Sequence, residues 1–462
     1  MSFEGTGAET RSDQRFRIRT YGCQMNIHDT EKISNLLHHG GFGPAPSEED
    51  ADLLLVNTCS VREKAEHRLY TDLGLLRAWK QAKPGRIVGV GGCVAQQEGD
   101  ALLARFPHVD FVFGTHNLRL VPALVEAARH GLRQTRTEET GSLERFDLPE
   151  RHRDFEGTSP GRAFVTVMEG CDMFCSFCIV PTTRGREISR PASDVLREAE
   201  SLVTRGVREI TLLGQTVNAY GRHDQQRGRS EHAGTMPFAA LVRRLAQISG
   251  LERIRYMSPH PLFFDDALIE AHGVEAALCP HIHLPLQSGS DAVLARMRRR
   301  YVAADYLGLV EKLRAARPDI ALTTDLIVGF PGETDADFRA TLDVVRSAAF
   351  VDAYIFKFSP RPGTAAAALE GAVAPALAQE RLKALQELLR GFTLDAHRQR
   401  IGSETSVLIE GESRRGGQPS GRDPWHRVVN FVTGRGRPPA PGEIVAARIV
   451  EATPRSLIGE VP

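Results

Sequence analysis

The sequence predicts an α/β protein in three parts: an N-terminal parallel α/β domain, a central open (β/α)6 partial barrel and a small C-terminal all-β barrel. Three observations lead to this prediction. Apolar strand-like runs alternate with helical stretches at the start of the chain, and six further strand–helix repeats follow a polar segment. The last part has short strand-like runs separated by Gly and Pro clusters. A chain of 462 residues has room for these parts, since a domain usually takes roughly 100–200 residues.

The N-terminal domain is predicted to span residues 15–135. Amphipathic helical stretches connect its strand-like runs, which are FRIRTYG, ADLLLVNTC, GRIVGVGGC and FVFGT. Strand–helix–strand order in a short domain indicates a parallel sheet. Residues 136–160 are polar and lack apolar periodicity, which predicts a linker.

The central domain is predicted over residues 161–400. Its six strand-like runs are AFVTVM, EITLLG, RIRYM, HIHL, ALTTDLIVGF and DAYIFKFS. Six repeats favour an open barrel, because a closed barrel of this kind has eight strands. The tail, residues 401–462, contains the runs TSVLIEG, RVVNFV, EIVAARIVEA and SLIGEV, which predict the small β-barrel.

Composition and charge exclude several classes of protein. Hydrophobic residues make up 41% and charged residues 25%, which is typical of globular domains and not of disordered, collagenous or coiled-coil chains. No apolar run reaches the roughly 18 residues of a membrane span, and the polar start MSFEGTGAETRSDQ lacks the apolar core of a signal peptide. We therefore expect a cytoplasmic protein without a membrane partner. Basic and acidic residues number 58 each, which gives no general attraction to nucleic acid.

Three of the seven cysteines are spread over the first domain. Cys23, Cys59 and Cys93 each come just after the carboxyl end of a predicted strand. Ligands bind at that edge of an open parallel sheet, so the three thiols can converge there. Their neighbours are Gly, Asn and Thr, which do not suit burial of cysteine as a small hydrophobe. The pattern predicts a metal or cluster site.

Three more cysteines form a compact motif. Cys171, Cys175 and Cys178 have the spacing C-x3-C-x2-C directly after the first strand of the central domain. Thiolates are soft ligands for iron and zinc, and structural zinc normally has four protein ligands. A [4Fe–4S] cluster takes one ligand per iron, so three thiolates leave one iron for a small molecule. A zinc loop completed by a distant histidine is the alternative.

This motif, with Phe177 in its aromatic position, resembles the signature of the radical S-adenosylmethionine superfamily. Further motifs follow in order along nearly the whole chain beyond residue 15: TYGCQMNIHD, NTCSVREKAEHR, GCVAQQEG, GCDMFCSFCIVPTTRG, LLGQTVNAYG, HLPLQSGS, DLIVGFPGET and SPRPGT. Together they resemble the methylthiotransferase family. NTCSVREKAEHR and GCVAQQEG are most similar to its branch of bacterial tRNA-2-methylthio-N6-dimethylallyladenosine synthases, and the tail resembles a TRAM domain. Thr216, where that family has Asn, and the long polar loop 222–236 depart from the pattern. We expect neither to touch the cysteines or to undermine the reaction, and we expect any effect of either to be on details near the substrate.

The resemblance implies roles for the candidate site residues. Cys171, Cys175 and Cys178 would hold a radical-generating [4Fe–4S] cluster, and the three cysteines of the first domain a second [4Fe–4S] cluster. Two clusters are expected because one open iron must hold S-adenosylmethionine and another the sulfur to be inserted. Two S-adenosylmethionine molecules would be used per turnover. The residues expected at the S-adenosylmethionine site are Phe177, Gln215, Ser258, Gln287 and Gly329, whereas Cys279 is expected to be structural.

The resemblance also implies a substrate and partners. The expected substrate is N6-isopentenyladenosine at position 37 of the tRNA anticodon loop, and the expected electron donor is a one-electron reductant such as flavodoxin or ferredoxin. A monomer is expected. The alternatives are threonylcarbamoyladenosine 37, an aspartate of ribosomal protein S12, or a non-catalytic iron–sulfur RNA-binding sensor. Candidate RNA contacts in the tail are Arg422, Trp425, His426, Arg427 and Phe431, with core packing as the alternative for Trp425.

Overall fold

The computed structural model describes residues 14–60, 63–152, 160–226, 228, 234–413, 416–432 and 437–461, with only the backbone for 63–67. These residues form two compact units. The first comprises the described residues of Met1–Gly157 together with Ile179–Arg186, and the second those of Thr158–Cys178 and Glu187–Pro462. None of the helices found in the described ranges is long and apolar enough to cross a bilayer.

The first unit is a parallel sheet with helices on both faces. Its strands are β1 (Arg15–Thr20), β2 (Gly43–Pro44), β3 (Leu53–Thr58), β4 (Ile87–Gly92), β5 (Phe111–Phe113) and β6 (Gln134–Arg136). Its helices are α1 (Gln24–His39), α2 (Glu63–Gln81), α3 (Cys93–Glu98), α4 (Asp100–Arg105), α5 (Val121–Arg129) and α6 (Val180–Arg184). All strand pairs are parallel, in the order β2-β1-β3-β4-β5-β6.

Burial explains the apolar runs of this sheet. Every residue of β3 and β4 is buried, as expected for central strands covered on both faces. Leu53 and Leu55 pack in the core on one face, and Leu54 and Val56 in the core on the other. The four predicted strands are present. The sequence reasoning did not anticipate β2, or β6 at the start of the polar segment.

The second unit begins with the central domain. Its strands are β7 (Arg162–Thr166), β8 (Met168–Glu169), β9 (Ile188–Ser189), β10 (Glu209–Leu213), β11 (Arg253–Tyr256), β12 (His281–His283), β13 (Ala321–Val328) and β14 (Asp352–Lys357). Its helices are α7 (Ala192–Thr204), α8 (Arg222–Gln226), α9 (Phe238–Ala246), α10 (Asp266–Val274), α11 (Asp291–Arg296), α12 (Ala303–Ala316), α13 (Asp335–Ala348) and α14 (Pro375–Arg398).

Six parallel strands build this domain as predicted. The sheets β11-β10-β7 and β12-β13-β14 are each parallel, and a parallel bridge between Ile254 and Leu278 lies between β11 and β12. Alternate strand residues such as Ile210 and Leu322 pack with the helices in the largest apolar core. The carboxyl ends of these strands share one rim, where Gln215, Ser258 and Gly329 lie.

The C-terminal barrel completes the second unit. Its strands β15 (Glu404–Glu412), β16 (Pro419–Arg422), β17 (Val428–Phe431), β18 (Ile444–Ala452) and β19 (Leu457–Glu460) close in the order β15-β16-β17-β19-β18. The α/β class with a small β-barrel is thereby confirmed. The predicted domain limits 15–135, 136–160, 161–400 and 401–462 stay a prediction.

Backbone carbonyls of the small barrel are bound by two arginines of β11. Arg253 donates to the carbonyl oxygens of Arg422 and Ser406, both at 2.9 Å. Arg255 donates to those of Asp423 and Pro424, also at 2.9 Å. These bonds fix the small barrel to the strands of the central domain.

Several tail residues that were candidates for RNA contact are used inside the protein. Phe431 is 2% exposed in the core of the small barrel, so its predicted RNA contact is wrong. Trp425 donates its indole N–H to the carbonyl of Asp319 at 2.8 Å, and the Arg400 guanidinium lies 4.0 Å from the Trp425 ring centroid. His426 stacks on His281. Packing, the alternative weighed from the sequence for Trp425, therefore describes the contacts of that residue.

Candidate functional site

The three cysteines of the first unit meet at the carboxyl edge of its sheet. Cys23 precedes α1 as its N-cap, Cys59 follows β3, and Cys93 is the first residue of α3 after β4. Because β1, β3 and β4 are adjacent and parallel, their carboxyl ends lie side by side. The convergence expected from sequence is thus present in the backbone.

Side-chain contacts hold this edge together. The thiols of Cys23 and Cys59 are hydrogen-bonded to each other. Cys23 Sγ also donates to Asn26 Oδ1 at 3.3 Å, while Asn26 Nδ2 donates to the carbonyl of Thr58 at 2.9 Å. Gly22 has a φ of +135°, and a Cβ there would lie 2.5 Å from Cys59 Cβ. A side chain at position 22 would therefore push the two cysteine loops apart.

A buried cation lies near these thiols. Arg184 of α6 pairs with Asp29 of α1 at 2.6 Å, and both side chains are buried. The hydrogen bond with Cys59, opposed by burial and assisted by the Arg184 charge, lowers the pKa of Cys23. Burial raises the pKa of Cys93, although Arg184 opposes this. Three soft donors beside a fixed cation fit an anionic thiolate-bound cluster.

The second cysteine set lies in the loop that follows β8. Cys171 Sγ lies 3.1 Å from Thr216 Oγ1, and Cys175 Sγ accepts a hydrogen bond from Arg299 at 3.4 Å. The Cys178 N–H donates to the Cys175 carbonyl at 3.0 Å. Among the described residues, no three His, Cys, Asp or Glu side chains are arranged to hold a single metal ion. Three thiols in one loop, without a fourth ligand nearby in sequence, fit a cluster with one open iron.

Three hydrogen bonds of Ser176 anchor the cysteine loop. Ser176 donates its N–H to the carbonyl of Met297 at 3.1 Å and its hydroxyl to that of Arg296 at 2.7 Å, while its own carbonyl accepts from Ala366. Phe177 packs against a small apolar cluster that includes Phe330. Its aromatic side chain therefore helps to seat the cysteine loop, and a direct cofactor contact stays a prediction.

Two predicted residues of the S-adenosylmethionine site lie just after β10 and β11. Gln215 Oε1 accepts from the Gly170 N–H at 2.5 Å, one residue before Cys171. Ser258 is exposed and has a positive φ of 59°. Its carbonyl accepts from the N–H of Val217 at 3.3 Å. Both residues thus lie at the rim that carries the cysteine loop.

The other two predicted residues follow β12 and β13. Gln287 is buried, has a φ of 72° and pairs through its backbone with Asp325 and Ile327. Gly329 has a φ of 71°, and a Cβ there would lie 2.8 Å from the Cβ of Ala378. The backbone conformations of both residues shape the rim. For Gly329, this structural role is sufficient to explain the contacts.

A buried ion pair fixes the turn after β13. The Gly329 N–H donates to Glu333 Oε2 at 2.7 Å, and Arg381 donates to the same oxygen at 2.8 Å. Glu333, left without a role in the sequence reasoning, is therefore a positioning residue of this turn.

Comparison with known proteins places these features in a family. The model of the Radical SAM superfamily matches residues 165–345, that of Uncharacterized protein family UPF0004 residues 15–114, and that of the TRAM domain residues 398–461. The tRNA-2-methylthio-N(6)-dimethylallyladenosine synthase of Geobacter metallireducens is 47% identical, over 96% of this chain and 97% of that protein. The chain belongs to the family of tRNA-2-methylthio-N(6)-dimethylallyladenosine synthases. A synthase of the same name, numbered 2, from Mycobacterium marinum is 46% identical over 98% of this chain and 85% of its own.

A solved structure has a fold similar to that of this chain. The radical S-adenosylmethionine methyltransferase TsrM from Kitasatospora setae has a TM-score of 0.55 at 15% identity. The match covers 88% of this chain and 80% of TsrM. At this identity the likeness concerns the fold alone.

The position of Thr216 corrects one expectation from the sequence. The sequence reasoning placed the departure at Thr216 away from the cysteines, but its hydroxyl contacts Cys171 Sγ at 3.1 Å. Thr216 follows the strand β10 whose end meets the cysteine loop, a juxtaposition that the sequence alone does not reveal. The hydroxyl is therefore able to donate a hydrogen bond to this sulfur.

Two arginines near the cysteines were also missed. Arg184 lies within the motif after Cys178, yet its segment belongs to the first unit. Arg299 is one of three consecutive arginines, and the sequence does not tell which one turns inward. The motif was a usable signal for Arg184, whereas only the fold identifies Arg299.

A cluster of ionisable side chains lies beside the cysteine loop. His223 of α8 is 3.4 Å from both Asp172 Oδ2 and Glu187 Oε2. Burial first, and then the charges of Asp172 and Asp224, raise the pKa of Glu187 from 4.5 to about 8. The loop that interrupts the barrel in the sequence thus supplies contacts to the residue after Cys171.

We expect Glu187→Gln to stabilise the protein near pH 8 and to have little effect near pH 5. A folded-state pKa above the unfolded value means that folding binds a proton, so stability falls as the pH rises through this window. The gain should reach ~1–3 kcal/mol near pH 8. Urea denaturation at several pH values measures it, with the exposed Glu200→Gln as the control. A pH-independent difference from the unsubstituted protein would contradict the raised pKa.

Proposed function

We propose that this protein is a tRNA methylthiotransferase that converts N6-isopentenyladenosine 37 into its 2-methylthio derivative. The observation that carries the proposal is the presence of two separate cysteine trios, one at the carboxyl edge of the first parallel sheet and one in the loop that follows β8. One open iron suffices to bind S-adenosylmethionine, but sulfur insertion needs a second place for the sulfur. The names of the relatives supply the substrate class.

In this proposal each trio holds one [4Fe–4S] cluster. Cys171, Cys175 and Cys178 would hold the cluster that binds S-adenosylmethionine, and the trio of the first unit the cluster that carries the sulfur. Once bound, these groups supply a deoxyadenosyl radical that removes hydrogen from C2, together with the sulfur and methyl group of the new substituent. Two S-adenosylmethionine molecules are used, one as methyl donor and one as radical source.

The chain's own residues would hold and shape the site. Gln215 fixes the backbone at Gly170, and Thr216 and Arg299 contact the sulfurs of Cys171 and Cys175. These contacts support a role in orienting the thiolates. Phe177, Ser258, Gln287 and Gly329 stay proposed residues of the S-adenosylmethionine pocket.

The proposal includes partners. The anticodon loop of tRNA is the expected macromolecular substrate, and the TRAM domain supports its binding. A base in a single-stranded loop is extruded at lower cost than one in a duplex. A low-potential reductant of the flavodoxin or ferredoxin class would supply electrons, and the protein would act as a monomer in the cytoplasm.

The test is a reaction of the anaerobically reconstituted protein with tRNA, S-adenosylmethionine and dithionite, followed by mass spectrometry of the nucleosides. tRNA carrying N6-isopentenyladenosine 37 should yield the 2-methylthio product. The same tRNA with unmodified adenosine 37 is the matched control and should yield little.

Other outcomes would contradict the proposal in different ways. Product formed only on threonylcarbamoyladenosine 37, or only on ribosomal protein S12, would overturn the substrate assignment. The proposed methylthiolation chemistry would still stand. If the reconstituted protein contains iron–sulfur clusters but forms no deoxyadenosine from S-adenosylmethionine with any substrate, the result would favour the non-catalytic iron–sulfur RNA-binding sensor.

A further inference from the structure

Arg299 lies in a turn whose backbone directs it inward. It follows α11, and its N–H donates to the carbonyl of Leu294 at 3.0 Å. Its neighbours Arg298 and Arg300 have φ values of 58° and 60°, a conformation that side-chain-bearing residues rarely adopt. Both neighbours are exposed, whereas Arg299 is 5% exposed. The strained turn therefore selects one of three identical side chains for burial.

Three hydrogen bonds fix the guanidinium of Arg299. It donates to Cys175 Sγ at 3.4 Å, to the Tyr301 hydroxyl at 3.1 Å and to the Pro285 carbonyl at 3.2 Å. The Tyr301 hydroxyl in turn donates to the carbonyl of Leu286 at 2.9 Å. The position of the charge is thus set by a backbone carbonyl of the loop after β12 and by the Tyr301 hydroxyl, which is itself bound to that loop.

Arg299 has no acidic partner in the part of the chain that the structure describes. Its ionisable neighbours there include Tyr301, Cys175, His260 and Tyr306, none of which is a carboxylate. A buried cation without a counter-charge costs several kcal/mol. A cluster bound through Cys175, whose sulfur lies 3.4 Å from the guanidinium, would supply that counter-charge.

We propose that Arg299 is a positioning residue that places a fixed positive charge beside the cluster of Cys171, Cys175 and Cys178 and favours its one-electron reduction. The inference rests on the proposed function, which assigns these cysteines to a cluster. A [4Fe–4S] core with three thiolates is an anion and gains one negative charge on reduction, so a nearby cation stabilises the reduced form more. The electron comes from an external reductant of the flavodoxin or ferredoxin class. No bond breaks and no proton moves in this step.

The test is an EPR-monitored redox titration of this cluster alone. We would use the full chain with Cys23, Cys59 and Cys93 all replaced by alanine, which leaves only the second trio. Arg299→Gln should shift the midpoint potential to a more negative value, and Arg299→Lys, which keeps the charge, should shift it less. Arg298→Gln and Arg300→Gln remove the same charge from exposed neighbours and should leave the potential unchanged.

Iron content separates failure of this inference from failure of the proposed function. The parent protein should bind about four irons, and if it binds none the assignment of the trio is wrong. Four irons with equal potentials in Arg299→Gln and the parent would overturn the role of Arg299. If Arg299→Gln does not retain iron, Tyr301→Phe replaces it, because this change removes the acceptor of Arg299 Nε. An unchanged potential in Tyr301→Phe would then reject the inference.

Discussion

Replacing Cys59 with alanine is expected to abolish methylthiolation of tRNA while S-adenosylmethionine is still cleaved to deoxyadenosine. Cys59 shares a hydrogen bond with Cys23 at the carboxyl edge of the first sheet, and its loss removes one of the three proposed cluster ligands there. The cysteine loop after β8 keeps its contacts to Met297, Arg296 and Ala366, none of which involves Cys59. Radical formation and sulfur insertion should therefore separate in this variant.

Cys175→Ala, in contrast, should lose both activities: formation of deoxyadenosine and methylthiolation of tRNA. Cys175 is the middle cysteine of the trio that would bind the cluster for S-adenosylmethionine, and it is the thiol held by Arg299. Deoxyadenosine should fall below detection, and no methylthiolated nucleoside should form. Chromatography of deoxyadenosine and mass spectrometry of tRNA nucleosides, on the same reaction, measure the two steps.

Cys279→Ala is the matched control for loss of a thiol. Cys279 is 3% exposed, and burial raises its pKa to about 11, so the thiol stays protonated. Its backbone N–H bonds to Ile254 and is unaffected by the substitution. Both activities should persist in this variant. Full methylthiolation by Cys59→Ala would show that the first trio is not needed for sulfur insertion.

Strand positions were predictable because they depend on local patterns. The runs that became β3, β4 and β5 are continuous or nearly continuous apolar segments bounded by turns, and the structure places strands there. Short elements such as β6 and β16 carry no such pattern, since Gln134–Arg136 and Pro419–Arg422 are polar and gain strand structure from their neighbours. Their pairing depends on tertiary contacts.

The candidate site likewise contains some residues that the sequence identifies and others that only the fold identifies. The six cysteines have positions that a motif and strand ends identify, whereas Arg299 and Thr216 become site residues through contacts between distant segments. Trp425 was misleading for the same reason. Aromatic and arginine side chains look alike in sequence whether they meet RNA or, as here, the carbonyl of Asp319. Pattern indicates which residue types are present, and the fold decides which surface they meet.

Glu209→Gln is expected to destabilise the second unit by ~3–5 kcal/mol. Glu209 is buried, with Arg255 at 3.1 Å and Arg253 at 3.5 Å. Burial alone would raise the pKa of Glu209, but the two cations outweigh it and hold the pKa below its usual value. The amide would remove the carboxylate that contacts both buried arginines and leave only the charge of Asp423 near Arg255.

Glu252→Gln is the matched control, because Glu252 pairs with Arg208 at the surface. These side chains are 39% and 42% exposed, and exposed pairs contribute up to ~1 kcal/mol. Urea denaturation followed by circular dichroism compares the two variants under one condition. Equal midpoints for Glu209→Gln and Glu252→Gln would contradict the importance of the buried pair.

A large effect of Glu209→Gln has a consequence for the tail. Arg253 and Arg255 connect Glu209 to the backbone carbonyls of the small barrel, so deleting residues 402–462 would remove four of their acceptors. Loss of tRNA binding in such a truncation would then combine lost contacts with a weakened central barrel. Single substitutions of exposed tail arginines, Arg448→Gln and Arg455→Gln, avoid this confusion because these side chains point to solvent. Weaker tRNA binding at unchanged stability would assign the RNA contact to the tail, and unchanged binding in both would place it elsewhere.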